Sequence, residues 1–301
     1  MTNNIFFKFR KLTDKSWSVW IKIAIGLVIL LPIIIGTILF IRSALVIETN
    51  GLWHLLFSSE WRPMRGEFGF YPFIISSVYV TILGVLLTAP ICMLSAIYLT
   101  QYASAKVLRL VQPVVDILAG IPSVIYGVWG ILIIVPFVRD YLAPFLGYQT
   151  TGFSILAGAL VVSVMLIPFV LNILIEVIKT VPHELSEASL SLGATKWQTI
   201  KFVVLRKAIP GIVSAFGLGV SRAFGETIAV LMVVGNVVGV PQSIFDPGYP
   251  LPALIANNYG EMMSIPMYDS ALMFSALILL VVVMFFNIMS RALIINLEKR
   301  I

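Results

Sequence analysis

The chain alternates between long apolar runs and short polar stretches. Apolar residues dominate six segments: Trp17–Ile41, Tyr71–Leu99, Leu110–Val138, Thr151–Ile178, Ala208–Val234 and Asp269–Ile295. Each exceeds the roughly 20 residues that a helix needs to cross a bilayer. A helix satisfies its own backbone inside lipid, so the pattern predicts an all-α polytopic membrane protein with six transmembrane helices. The polar stretches read as a tail at 1–16 and loops at 43–70, 179–207 and 241–268, all within a single transmembrane domain over 1–301. Leu52, Trp53, Leu55, Leu56 and Trp61 predict a short helix at the membrane interface, where tryptophan is favoured. The first run is too long for a signal peptide and lacks a small-residue cleavage site, so it reads as a retained span.

Composition agrees with the pattern. Hydrophobic residues make up 59% of the chain and charged residues 11%, against about 25% charged in soluble domains. The net charge of +6 does not point to nucleic acid, because the basic residues segregate along the chain. Fifteen of the 20 Lys and Arg fall on the side of the two termini and the 179–207 loop, and four (Arg42, Arg62, Arg65 and Arg139) on the other. The positive-inside rule therefore predicts cytoplasmic termini, a cytoplasmic 179–207 loop and outer loops at 43–70 and 241–268, in a multi-pass protein of the cytoplasmic (inner) membrane. One cysteine, Cys92, and two distant histidines, His54 and His183, offer neither a disulfide nor metal-ligand spacing. Without a Gly-x-x-x-x-Gly-Lys-[Ser/Thr] loop, the chain is not expected to bind or hydrolyse ATP or to carry a cofactor itself.

Two polar patterns carry chemistry. The first is Val181–Ile200, which reads as two short helices and a tight turn. Pro182 suits a helix start, Glu184 and Glu187 suit the first turns, Gly193 suits the C-cap, and Thr195 with Gln198 forms a capping box. Leu185, Ala188, Ser189 and Leu192 share one small apolar face, fit for a groove on another protein. Glu187-Ala188-Ser189, three residues and then Gly193 resembles the EAA loop of ABC-importer permeases, which implies a coupling helix docked on an ATPase subunit. Arg206 stands where that family often has proline.

The second pattern is Ser221-Arg-Ala-Phe-Gly-Glu-Thr227. Arg222 lies fourteen residues into the fifth run, about 21 Å along a helix. A charge at that depth faces protein or a water-filled path. Glu226, one turn on, is placed to pair with it. Two readings stand: an anion site, with the planar guanidinium matched to phosphate oxygens, or a buried ion pair that fixes helix packing. Elsewhere, Asp116 reads as a paired group near the cytoplasmic edge or as a pathway residue. Gly120, Ser123, Gly127 and Gly130 read as a packing seam, and Pro122 as a hinge or a kink. Ser76, Ser77 and Thr81 read as hydroxyls bonded to their own backbone or as a polar path.

Ser221-Arg-Ala-Phe-Gly-Glu-Thr-Ile-Ala-Val230 and Leu118-Ala-Gly-Ile-Pro-Ser-Val-Ile-Tyr-Gly-Val-Trp-Gly130 are similar to segments of phosphate ABC-importer permeases of the PstC type. Sulfate and molybdate permeases have a related Arg-Ala-x-Gly-Glu segment. The resemblance implies a type I ABC importer (MetI-like) permease fold and a substrate pathway through Arg222, Glu226, Thr227 and Ser221. It also implies a related permease partner of the PstA type, two ATPase subunits of the PstB type carrying ATP and Mg, and an extracytoplasmic phosphate-binding protein of the PstS type. A permease for sulfate, molybdate or tungstate, and an ATPase-independent secondary transporter, remain as alternative readings.

Overall fold

The computed structural model describes the backbone of residues 2–298 and the side chains of 17–296 other than Met263. The tail cations Lys8, Arg10, Lys11, Lys15, Lys299 and Arg300 therefore lie outside the described side chains. In chain order the helices are α1 (Thr2–Asn50), α2 (Leu52–Phe57), α3 (Tyr71–Tyr102), α4 (Ala105–Ala119), α5 (Ser123–Phe145) and α6 (Ile155–Lys179). They continue as α7 (His183–Ser191), α8 (Lys196–Phe224), α9 (Ile228–Leu231), α10 (Leu251–Asn258) and α11 (Pro266–Glu298). Six of them (α1, α3, α5, α6, α8 and α11) are long and apolar enough to cross a membrane. The described residues contain no strand, only two isolated bridges.

The packing centre is α6, whose face of Val162, Leu166, Val170, Leu174 and Ile178 is buried against α3, α4 and α8. In contrast, α1 runs along α11 with most of its described hydrophobic residues exposed, as a lipid-facing helix requires. The end of α1 is pinned to the start of α11: Val46 N donates to Ser270 Oγ at 3.1 Å, and Arg42 pairs with Asp269 at 3.7 Å.

Four expected boundaries are corrected. First, α1 continues through 43–50, part of the expected loop, because this stretch buries Ser43 and Val46. Second, the third span does not begin at Leu110. Gly120-Ile-Pro122 breaks the run, since a proline ring clashes with the preceding helical turn and pushes the residue before it out of the α region. Residues 105–119 become the separate amphipathic helix α4, and the Tyr126 hydroxyl donates to Leu118 O at 2.8 Å across the break. Asp116 thus lies near the end of α4, not at the start of a span; Asn172 Nδ2 donates to its Oδ1 at 2.8 Å. Third, the fifth span begins at Lys196 and ends at Phe224, not Val234. Fourth, 241–268 is no open loop. It contains α10, whose Leu251, Pro252, Ala253 and Leu254 are buried.

That last region is held by hydroxyls. Ser76 and Ser77 donate to Pro72 O and Phe73 O, the expected backbone bonds. They also accept from Tyr249 N at 3.1 Å and Leu251 N at 2.8 Å. A short helix does form at the expected position, as α2, with Leu55 fully buried and Trp53 exposed. Trp61 lies beyond it, packed edge-on against Phe68, Phe70, Phe73 and Tyr268 at centroid distances of 4.7–6.0 Å.

Candidate functional site: Arg222 and the coupling helix

The site begins where α8 stops. Gly225, Glu226 and Thr227 interrupt the helix, and the chain re-enters as the single turn α9. Ala229, Val230, Val233 and Val234 are buried there. The seam expected on the third span receives them: a Cβ on Gly127 would meet Met232 and the backbone of Ala229, and one on Gly130 would meet Val161 at 2.7 Å and Val233 at 2.8 Å. Gly120 takes no part, since it lies in the turn after α4.

The break separates Arg222 from Glu226. On one continuous helix they would stand a turn apart, but no ion pair joins them. Glu226 Oε1 instead accepts from Ala229 N at 3.3 Å, holding the start of α9. Thr227 Oγ1 donates to Gly225 O at 3.2 Å. The Ser221 hydroxyl is directed at Gly217 O and Asn287 Oδ1, each at 3.1 Å. Of the four expected pathway residues, three are engaged with the chain itself. Arg222 is half-buried and has neither an ion pair nor a side-chain hydrogen bond among the described residues; its Cζ lies over the Phe169 ring, 4.5 Å from the centroid. Its planar fork of N–H donors is uncommitted, and such a fork fits an oxyanion.

One turn along α6 from Phe169, an open cavity of about 610 Å³ begins, lined in part by Asn172, Glu176, Thr180, Lys207 and Gly211. Glu176 is paired with Lys179 at 3.3 Å. Sequence reasoning passed over Phe169, Asn172 and Asn287. The two amides had a signal, since a polar side chain in an apolar helix finds a partner on another helix. Phe169 had none, being one apolar residue within an apolar run.

At the far end of α6 the coupling region follows the sequence closely. Pro182 is the N-cap of α7, Glu184 is in its first turn, and Gly193 has φ +85°, a conformation that disfavours a side chain. Thr195 and Gln198 form the capping box: Gln198 N donates to Thr195 Oγ1 at 3.3 Å and Thr195 N to Gln198 Oε1 at 2.8 Å. The second short helix is the start of α8 itself. Glu187, Ala188, Leu185 and Leu192 are exposed, Leu192 by 89%. Ser189, on the same expected face, is half-buried, and its hydroxyl bonds Thr199 Oγ1 at 2.9 Å. Lys196 Nζ sits over the Tyr102 ring at 4.5 Å, tying this region to the end of α3. Among the described residues no cluster of His, Cys, Asp and Glu has the makings of a metal site.

The fold is shared with solved importers. A bacterial ABC transporter involved in the import of the acidic polysaccharide alginate matches with a TM-score of 0.61 over 95% of this chain and 99% of its own, at 16% identity. The inward-facing MetNI methionine ABC transporter matches with a TM-score of 0.55 over 76% and 94%, at 23% identity. Among curated proteins, the probable ABC transporter permease YqgH of Bacillus subtilis is 38% identical, over 79% of this chain and 76% of its own length. The phosphate transport system permease PstC of Xylella fastidiosa is 33% identical, over 81% and 79%. The probable PstC of Methanocaldococcus jannaschii is 31% identical, over 88% of each. Residues 89–301 match the family described as binding-protein-dependent transport system inner membrane component. The six-helix fold and this match agree: the chain belongs to the family of binding-protein-dependent ABC importer permeases.

Proposed function

We propose that the chain is the membrane permease subunit of an ATP-driven importer of inorganic phosphate, working by alternating access. The choice of phosphate is supported by the relatives named as phosphate permeases. The observation that carries an anionic substrate is the half-buried guanidinium of Arg222, with no carboxylate in contact and its donors uncommitted. Arg222 is the direct contact in this reading. Ser221, Glu226 and Thr227 shape the break beside it rather than touch the ion.

The remaining parts follow from this role. Both termini and α7 face the cytoplasm, in agreement with the charge count, and the 43–70 and 241–268 regions face outward to receive a phosphate-binding protein of the PstS type. A related permease of the PstA type completes the pathway. Two ATPase subunits of the PstB type, with ATP and Mg, take the exposed face of α7 around Glu187, Ala188 and Gly193. ATP binding and hydrolysis there bias two global states of the spans.

The test is uptake of labelled phosphate into liposomes containing the assembled complex, with excess sulfate as competitor. Uptake that requires ATP and ignores sulfate is expected. An assembled, ATP-hydrolysing complex that takes up sulfate and not phosphate would overturn the substrate. Uptake driven by an ion gradient without ATP would overturn the transporter class.

A further inference from the structure

The register between α6 and α8 runs antiparallel and is set by small residues. A Cβ on Gly211 would collide with Val177, and one on Gly219 would come within 3.0 Å of Val170. Phe169 neighbours Val170 and Arg222 lies one turn beyond Gly219, so this contact brings the two side chains within reach of each other; Arg222 Cζ lies 4.5 Å from the ring centroid. The close helix contact sets the separation of the two backbones beside this pair.

A charged group in a membrane protein ordinarily pairs with an opposite charge. For an anion-binding arginine such a partner is a competitor, since a carboxylate occupies the same donors as the substrate and cancels the field that attracts it. An aromatic face holds a guanidinium through the ring quadrupole, at about 0.5–2 kcal/mol, without accepting in-plane hydrogen bonds. Glu226 would be the natural competitor, and the break at Gly225 directs it to Ala229 N instead.

We propose that Phe169 is a positioning residue: its ring parks Arg222 beside the pathway while leaving the guanidinium donors open to a tetrahedral oxyanion. This rests on the anion-site reading of Arg222. In physical terms Phe169 sets how often Arg222 is aimed correctly, so its loss lowers transport through misplacement rather than through lost charge.

The experiment uses the assembled complex in liposomes, with labelled inorganic phosphate, ATP and four variants. Phe169→Leu and Phe169→Met keep an apolar side chain and remove the π face. Phe169→Tyr keeps the face. Arg222→Gln reports on the site itself. Co-purification with the partner subunits and ATP hydrolysis are measured on each. The expected result is uptake about tenfold lower for Phe169→Leu and Phe169→Met, as loss of a desolvated cation–π contact of this strength implies. Phe169→Tyr should stay within about twofold of the parent. Assembly should be unchanged in all three. Equal uptake by the Leu, Met and Tyr variants, whether normal or reduced, would overturn the proposal, because only bulk would then matter. If Arg222→Gln imports phosphate normally, the anion site falls and this proposal with it. If Arg222→Gln is inactive and Phe169→Leu is normal, only the role of Phe169 falls. Should Phe169→Leu fail to assemble, the comparison of Phe169→Met with Phe169→Tyr decides.

Discussion

At one end of the bundle Trp61 stands among Phe68, Phe70, Phe73 and Tyr268, and two serines of α3 hold the backbone of the 241–268 region. At the other end α7 buries no side chain. The aromatic end completes its own packing and hydrogen bonding within this chain. This end has well-formed caps and a bonded turn, yet it leaves Leu185, Leu190 and Leu192 exposed. A surface folded by its own contacts tolerates a visiting partner, whereas a bare apolar helix face calls for a resident one. Under the proposed function, the first would be the outer end that meets a binding protein transiently and the second the inner end that stays attached to an ATPase.

The comparison can be broken in four places. Trp61→Ala should cost the most stability, about 3 kcal/mol, by opening a cavity in the aromatic cluster. It would appear as a lower thermal midpoint of the purified complex, and an unchanged midpoint would mean that the end is not internally cemented. Ser77→Ala should cost about 1–3 kcal/mol, because Leu251 N loses its buried acceptor. Faster hydrogen exchange at 249–254 is the direct readout, and protection equal to the parent would contradict the pinning. Thr195→Ala should cost about 1 kcal/mol, the usual value of a helix cap, and loosen only the α7–α8 turn. Leu192→Ala should move stability by less than about 0.5 kcal/mol, since the side chain is 89% exposed. It should still weaken association with the ATPase about tenfold. Full ATPase binding by that variant would remove Leu192 from the docking face.

Sequence and structure agree where one physical rule acts alone. Six spans are legible because every apolar run of sufficient length must become a helix in lipid. The turn at Gly193 and the capping box at Thr195 are legible because each is local chemistry within a few residues. Hydropathy fails at the breaks, where an apolar run continues through a change of structure. Pro90 and Pro168 remain inside helices, whereas Pro122, two residues after Gly120, ends one. A proline alone therefore does not mark a boundary, and neither does a glycine beside it, since Pro210-Gly211 also stays within α8. The segment from Ile228 to Val234 is as apolar as a span, but its Val230, Val233 and Val234 are buried within the bundle rather than exposed to lipid. Placing Arg222 and Glu226 on one helix follows from the continuous pattern, and the break at residues 225–227 undoes it. The contact of Arg222 with Phe169 depends on the register of two helices some fifty residues apart in sequence, which no local pattern records.

Between the two ends stands Arg222, and the account depends on it. The most direct measurement is ATP-driven uptake of labelled phosphate by the assembled complex carrying Arg222→Gln, a near-isosteric neutral side chain, beside the parent complex. The account predicts that the variant assembles, retains ATP hydrolysis and loses phosphate uptake by at least about a hundredfold, as expected when a buried charge–anion contact of roughly 3 kcal/mol is removed. Uptake at the parent rate would contradict it and would leave Arg222 as a packing group held by Phe169.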